Sequence, residues 1–272
     1  ELQGHGHVAC MVGGCVRDLL LGREPRDYDI ATDARPDQIQ SCFPRSLAIG
    51  EKFGVIRVMG DTVGVEVATF RRDKDPHDGR RPSRVDFTDV MEEDAVRRDF
   101  TINSIFFDPI DGRYFDYVGG LEDLNACLIR TIDNPEQSFS DDKLRMLRAV
   151  RFAARLGFSV EHKTQKAIKL RAATITEISA ERIRSELNSV LTECAPRRAF
   201  ELLSEIGLLG VIFPELEKTK GFQCASGCHV KGNIWQHTLL LLEYSRNPTA
   251  TLAWSALLIN LTNLKTTELG NG

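Results

Sequence analysis

The sequence predicts an α+β fold, with an N-terminal sheet domain followed by an all-α region. Two observations carry the α+β reading. Residues 8–137 alternate short β-type runs with Gly, Pro and Asp turns, and from Ser140 the apolar period changes to a helical one that persists to near the end. In the first region the candidate strands are Val8–Val12, Tyr28–Ala31, Val55–Met59, Val63–Phe70, Arg84–Phe87, Ser104–Asp108 and a short run at Tyr114–Asp116. Helical patterns interrupt them at Val16–Leu21, stopped by Gly22, and at Pro36–Cys42, stopped before Pro44. Links of hairpin length between strands fit one compact sheet domain. Beyond it, Leu144, Leu147, Val150, Ala154 and Leu156 keep close to helical spacing, and Gly157 closes that segment. Ser140 reads as its N-cap, with Asp141 and Asp142 at the positive end of the helix dipole. Further helices are expected at Thr164–Ala173, Ala180–Thr192, Arg197–Ile206 and Trp235–Tyr244.

The 272 residues are 42% hydrophobic and 27% charged, which excludes disordered, collagenous and disulfide-scaffold classes. No run of 18 apolar residues occurs, so no membrane helix is expected, and the first residues lack the pattern of a signal peptide. Seven scattered cysteines read as reduced thiols of a cytoplasmic protein. Charge is unevenly placed. Residues 1–160 carry 22 Lys+Arg against 28 Asp+Glu, residues 161–272 carry 13 against 11, and all 20 Asp fall within residues 1–142. Arg outnumbers Lys 25 to 10, and Arg is suited to bidentate phosphate and base-edge contacts. An Asp-rich and Arg-rich first half points to metal and phosphate chemistry there.

The most informative stretch runs from Val12-Gly13-Gly14-Cys15-Val16-Arg17-Asp18 to Arg26-Asp27-Tyr28-Asp29-Ile30. Two glycines between a strand and a helix let backbone amides approach a phosphate, although a packing turn explains Gly-Gly alone. Asp27 and Asp29, read as i and i+2 on one strand, face the same side. Two such carboxylates repel unless a cation sits between them, which is the pattern of a Mg²⁺ site. Glu66, in the middle of Val63–Phe70, is a third carboxylate that would complete a two-metal site for nucleotidyl transfer, or else a solvent-facing residue of an edge strand.

Taken together these residues resemble the class II tRNA nucleotidyltransferase (CCA-adding) and bacterial poly(A) polymerase family, within the polymerase-β-type nucleotidyltransferases. The resemblance covers about residues 8–215. Gly13-Gly14-x-x-Arg17-Asp18 with Asp27-x-Asp29 resembles the family's first motif, and Arg97-Arg98-Asp99-Phe100-Thr101-Ile102-Asn103 its ribose-holding second. Asp116-Tyr117-Val118-Gly119-Gly120 resembles the hinge between head and neck. Asp141-Asp142-Lys143-Leu144-Arg145-Met146-Leu147-Arg148 resembles the nucleobase-reading motif, with Asp141 where the family has Glu, and Glu181–Leu187 the helix that braces it. The resemblance implies a catalytic head at 1–137, a base-reading neck at 138–195 and an RNA-binding body at 196–272, with the family's further tRNA-gripping helices missing.

It further implies that Asp27, Asp29 and Glu66 hold two Mg²⁺, that Gly13, Gly14, Arg17 and Arg148 position the triphosphate, and that Asp99 and Asn103, with Arg98, read the ribose; Asp18 and Arg151 complete the nucleotide-binding set. Asp142 and Arg145, read as i and i+3 on one helix, offer an acceptor-only group beside a donor-only one. Cytosine and adenine both present an amine beside a ring acceptor and satisfy that pair, whereas uracil and guanine reverse the polarity. The implied activity is addition of C and A from CTP and ATP to the 3′ end of tRNA, with Gly50–Gly54 closer to CCA-adding members than to poly(A) polymerases. Poly(A) synthesis on RNA ends and a catalytically inactive RNA-binding protein are the alternatives. Residues 71–90 have a mobile-loop composition that family members adding only CC lack, which implies addition of A as well. No membrane or protein partner is expected.

Two features are set aside. Cys224, Cys228 and His229, with His237 further on, match no standard zinc spacing and read as a reduced-thiol loop. The stretch 229–261 resembles a phosphohydrolase-like region of some relatives, but no Asp follows residue 142 and Asn260 stands where a metal-binding Asp is wanted.

Overall fold

The computed structural model describes residues 1–60, 64–74, 84–223 and 233–261. They form two compact units, Glu1–Asp142 and Lys143–Gly272.

The first unit is built on a seven-stranded mixed sheet of β1 (Ala9–Val12), β2 (Asp29–Thr32), β3 (Ser46–Gly50), β4 (Val55–Met59), β5 (Gly64–Thr69), β8 (Phe106–Asp108) and β9 (Arg113–Phe115), in the order β3-β4-β5-β2-β1-β8-β9. Among the described residues of this sheet only β2 and β5 pair in parallel, with Asp29 opposite Glu66 and Ala31 opposite Ala68; β1 lies antiparallel to β2, with Val12 opposite Asp29. Strand alternation splits the apolar side chains between two faces. Cys10, Val12, Ala31, Phe70, Ala95 and Phe106 pack on one, while Ile39 and Ala34 meet Ile56 and Val67 on the other. Each fully buried Phe or Ile here contributes roughly 1.5–3 kcal/mol.

Helix α1 (Gly14–Leu20) follows β1 directly, and α2 (Pro36–Cys42) has Pro at its start and Gln38 accepting from the Arg35 amide. The stretch 71–90, of loop-like composition around the expected strand Arg84–Phe87, supplies a separate hairpin, β6 (Arg71–Lys74) against β7 (Arg84–Phe87), whose intervening residues lie outside the described ones. Helices α3 (Met91–Val96) and α4 (Gly120–Asn125), the short strand β10 (Leu128–Ile129) and α5 (Pro135–Asp141) complete the unit.

Among the described residues of the second unit, regular structure is helical apart from the two-residue strand β11 (Ser159–Val160) and the isolated bridge between Gln223 and Asn233. Helix α6 (Arg145–Leu156) buries Met146, Leu147, Ala149, Val150, Phe152, Ala153 and Leu156, and Gly157 ends it at φ +76°. It is followed by α7 (His162–Arg171), a 3-10 segment at Ala172–Glu177, α8 (Ala180–Glu193), α9 (Pro196–Glu205), the short α10 (Leu208–Ile212) and α11 (Pro214–Lys218), α12 (Ile234–Tyr244) and α13 (Ala250–Leu258). The core lies where α6 meets α8 and α9, continued by α12 against α9 and α13. The α+β expectation holds, and no described helix is long and apolar enough to cross a membrane.

Two local expectations are corrected. Asp27 sits in the bend before β2 rather than on the strand, because β2 begins only at Asp29, opposite Val12. Asp142 and Arg145 do not share a helix. Asn134 caps a separate helix with Pro135 in its first turn, so Ser140 is interior, Asp141 is its last residue and Asp142 is extended at φ −144°. A new helix then opens at Arg145.

Candidate active site

In the first unit three carboxylates gather at the end of β2 and β5 where those strands begin. Parallel register sets Asp29 beside Glu66, and the bend ahead of β2 brings Asp27 near them. Asp29 is half-buried while Asp27 and Glu66 are exposed. Burial, then the negative charges of Asp27 and Glu66, push the Asp29 carboxyl from 3.8 up to about 6, against a smaller lowering by the Arg98 guanidinium. Such a carboxyl calls for a nearby cation. Oxygen ligands of this kind suit magnesium, so the donor set fits the metal that the sequence implied. As placed, no three His, Cys, Asp or Glu side chains among the described residues come together closely enough to hold a metal ion.

Gly13 links β1 to α1 at φ +82°, and a Cβ on it would lie 3.6 Å from an Asp29 carboxylate oxygen. Glycine therefore brings the backbone at the start of α1 up to the acidic cluster.

Arg98 reaches the same sheet face, its guanidinium 5.3 Å from the Phe106 ring centroid. It is held by Asp94, a residue the sequence reading missed. Asp94 is 1% exposed. One of its oxygens takes Arg98 Nε and Nη2 at 3.2 and 2.7 Å; the other takes Arg97 Nε at 2.8 Å and the Arg71 amide at 3.2 Å. Burial alone would raise the Asp94 carboxyl, but Arg98 and Arg97 more than offset it and hold it below the usual range. The available signal was Asp94 three and four residues before the arginines, the spacing of one helical turn.

The remaining residues of the first two motifs form a hydrogen-bonded chain, buried at Arg17, Asp18 and Asn103 and half-buried at Asp99. Arg17 donates to Asp18 at 2.8 Å and to Asn103 Oδ1 at 2.7 Å, and Asn103 Nδ2 donates to Asp99 Oδ1 at 3.1 Å. The Phe100 amide binds the same Asp99 oxygen at 2.8 Å. The hinge-like motif is a capped turn in which the Asp116 carboxylate accepts from the amides of Val118, Gly120 and Leu121.

In the second unit, Arg151 Nε donates to Glu186 at 2.7 Å and Arg148 lies 3.9 Å from the same carboxylate. Both guanidiniums stand over Phe152, 5.4 Å from its centroid for Arg148 and 4.6 Å for Arg151. Arg145 and Asp142 are each half-buried in their own units. Asn260 is buried and donates to Thr238, a structural contact. Cys224, Cys228 and His229 lie outside the described residues.

Residues 9–130 match the family described as the poly(A) polymerase head domain, and residues 157–220 match the probable RNA and SrmB-binding site of polymerase A. A CCA-adding enzyme of Geobacillus thermodenitrificans is 45% identical over 208 residues, which are 76% of this chain and 51% of that protein. The CCA-adding enzyme of Bacillus subtilis is 40% identical over 261 residues, 94% of this chain and 61% of that one. The chain thus spans about half of the first relative and less than two thirds of the second. The crystal structure of the Bacillus stearothermophilus CCA-adding enzyme in complex with CTP is similar with a TM-score of 0.79 at 35% identity, over 96% of this chain and 60% of that one. A tRNA nucleotidyltransferase complexed with a primer tRNA and an incoming ATP analogue is similar with a TM-score of 0.72 at 29% identity, over 96% and 74%. The head-domain match spans the sheet that carries Asp29 and Glu66, and this chain belongs to the family of class II tRNA nucleotidyltransferases and bacterial poly(A) polymerases.

Proposed function

We propose that this chain catalyses template-independent transfer of cytidylate and adenylate from CTP and ATP to the 3′ end of tRNA, releasing pyrophosphate. The observation that carries the reading is the register of Asp29 beside Glu66, with Asp27 close enough to raise the Asp29 carboxyl. These three residues would hold two magnesium ions. Magnesium held there would acidify the 3′-hydroxyl of the RNA that attacks the α-phosphate and would neutralise charge on the departing pyrophosphate.

The other roles fall to the chain itself. Gly13 and Gly14 present open backbone to the triphosphate. Asp99 and Asn103 take the ribose hydroxyls, beside an Arg98 held in place by Asp94. Asp142 and Arg145 supply the acceptor and the donor that complement the amine and ring nitrogen shared by cytosine and adenine. Arg148, only 3.9 Å from Glu186 and standing over Phe152, offers a cation to phosphate, and Arg151, paired with Glu186, holds that carboxylate in place beside it.

The surface of α7 favours an RNA partner. Lys163, Lys166 and Lys169 are exposed along it, without an ion pair among the described residues, while Thr164, Ala167 and Ile168 face the core. Elsewhere in the unit, Lys143, Arg151, Arg197, Arg198 and Lys220 each meet a glutamate. An unneutralised basic row is suited to a phosphodiester backbone. Two similar structures, one in complex with CTP and one with primer tRNA and an incoming ATP analogue, support the same substrates.

The test is extension of tRNA transcripts ending before CCA, after C and after CC, with magnesium and each nucleotide singly and together. Growth by three residues that then stops is the expected outcome. Growth on the CC-ended transcript alone would make the chain an A-adding specialist, and a long adenosine ladder would make it a poly(A) polymerase. No extension at any magnesium concentration would refute the transferase reading.

A further inference from the structure

We propose that Arg17 is a positioning residue that sets the ribose-reading pair Asp99–Asn103, and that it makes no contact with the triphosphate. The inference rests on the transferase reading above. Arg17 is 2% exposed and Asp18 is 5% exposed, so the guanidinium lies inside the head unit. Its Nε and Nη2 donate to Asp18 Oδ1 at 2.8 and 2.6 Å, which neutralises the charge that a triphosphate would need. Gly14 completes the enclosure: a Cβ there would stand 3.5 Å from Arg17 Nη2, so the second glycine leaves room for the buried guanidinium.

The chemistry then settles what Asn103 presents. A guanidinium has donors only, so the Asn103 atom 2.7 Å from Arg17 Nη1 must be the carbonyl oxygen. The amide nitrogen is thereby turned toward Asp99 Oδ1, at 3.1 Å. That oxygen also takes the Phe100 amide at 2.8 Å, which fixes the rotamer of the carboxylate. With its carbonyl spent on Arg17, Asn103 addresses the sugar as a donor, and the acceptor for a ribose hydroxyl is the Asp99 carboxylate. Arg17 thus acts on sugar selection through Asn103, although 86 residues separate the two in sequence.

The test compares wild type with Arg17→Lys, which keeps a cation beside Asp18 but lacks the planar fork that reaches both partners. Single-turnover kcat/KM is measured for ATP and for dATP on a CC-ended tRNA, together with inhibition by inorganic pyrophosphate. The expected result is a loss of about tenfold in the ATP-over-dATP preference, the size of one hydrogen bond, with pyrophosphate inhibition unchanged within about twofold. Equal losses for ATP and dATP together with weaker pyrophosphate inhibition would place Arg17 on the phosphates and overturn the proposal. Asn103→Ala leaves the Arg17–Asp18 pair intact and must reproduce the same loss of sugar preference. A folded Asn103→Ala protein that keeps the preference would overturn the proposal even if Arg17→Lys fails to fold. A wild-type chain that adds no nucleotide refutes the transferase reading itself, and this inference with it.

Discussion

Replacing Asp94 by Asn should destabilise the sheet unit far more than a typical surface substitution. The carboxylate is 1% exposed and binds three groups: Arg97, Arg98 and the amide of Arg71 at the foot of the β6–β7 hairpin. An amide keeps the shape, but it has one acceptor oxygen in place of two and carries no charge. Both arginine side chains are only 17% exposed and would be left without their counter-charge. Breaking a buried pair in this way costs about 3–5 kcal/mol, and the residual solvent access of the arginines argues for the lower end, about 3 kcal/mol. That is a large share of the roughly 5–15 kcal/mol that holds a domain folded. Calorimetry is the appropriate assay, because the two tryptophans, Trp235 and Trp254, both lie in the helical unit and would not report on the sheet. The sign with pH is fixed. The folded-state Asp94 carboxyl lies below its usual value, so its contribution is fully present above about pH 4 and is lost as pH falls through the lower folded-state value. The gap between wild type and variant should therefore be widest near neutrality and close under acid. A variant that melts with wild type at pH 7 would refute the view of Asp94 as the clasp of the arginine pair.

Asp29→Asn should act in the opposite sense on stability while abolishing nucleotide transfer. The folded-state carboxyl is raised from 3.8 to about 6, so the native state gives up stability as pH rises from about 4 through 6, and removing the charge should recover roughly 1–2 kcal/mol at pH 8 without divalent ions, after discounting for solvent screening; a lower melting temperature for the variant would count against the crowded-carboxylate account. Gly120→Ala should cost more than 3 kcal/mol, since its Cβ would stand 2.3 Å from the Thr101 carbonyl oxygen, a backbone atom that cannot swing aside; denaturation with near-wild-type stability would mean that the turn relaxes. Replacing Lys163, Lys166 and Lys169 together by Ala should weaken tRNA binding and lower the slope of log affinity against log salt by about 2, with CTP binding unaffected; an unchanged slope in a fluorescence-anisotropy titration would remove α7 from the RNA surface.

Much of this molecule was legible before any coordinates. Pro36–Cys42, Val55–Met59 and Arg84–Phe87 run between the residues where period and punctuation placed them, and Gly157 closes α6 in the left-handed conformation that its position implied. These are local matters, decided by Pro, Gly and the spacing of apolar side chains over one or two turns. The elements that escaped have weak local signals. Strand β3 leaves Leu47 and Ile49 exposed at the edge of the sheet, so it lacks the alternation of a half-buried strand. Helix α3 is six residues long and begins Met-Glu-Glu-Asp without a capping side chain, and what holds it is the tertiary grip of Asp94 on two arginines. Around residue 140, period alone merged two helices, because it cannot register that Asn134 and Pro135 start one helix and Arg145 another.

Residue types and their spacing specify the chemistry available: three carboxylates, a glycine pair and an arginine-rich second motif. Tertiary structure decided which of those groups meet and which way each one faces. Asp29 stands beside Glu66 only because β2 and β5 pair in parallel at that register, and a slip of one residue would send one carboxylate to the opposite face. Arg17 looks from its motif like a phosphate ligand, yet burial against Asp18 and Asn103 turns it inward. Residue type and spacing along a chain specify donors, acceptors and local periods; orientation and dielectric surroundings arise from contacts between distant segments, and these exist only once the sheet has closed.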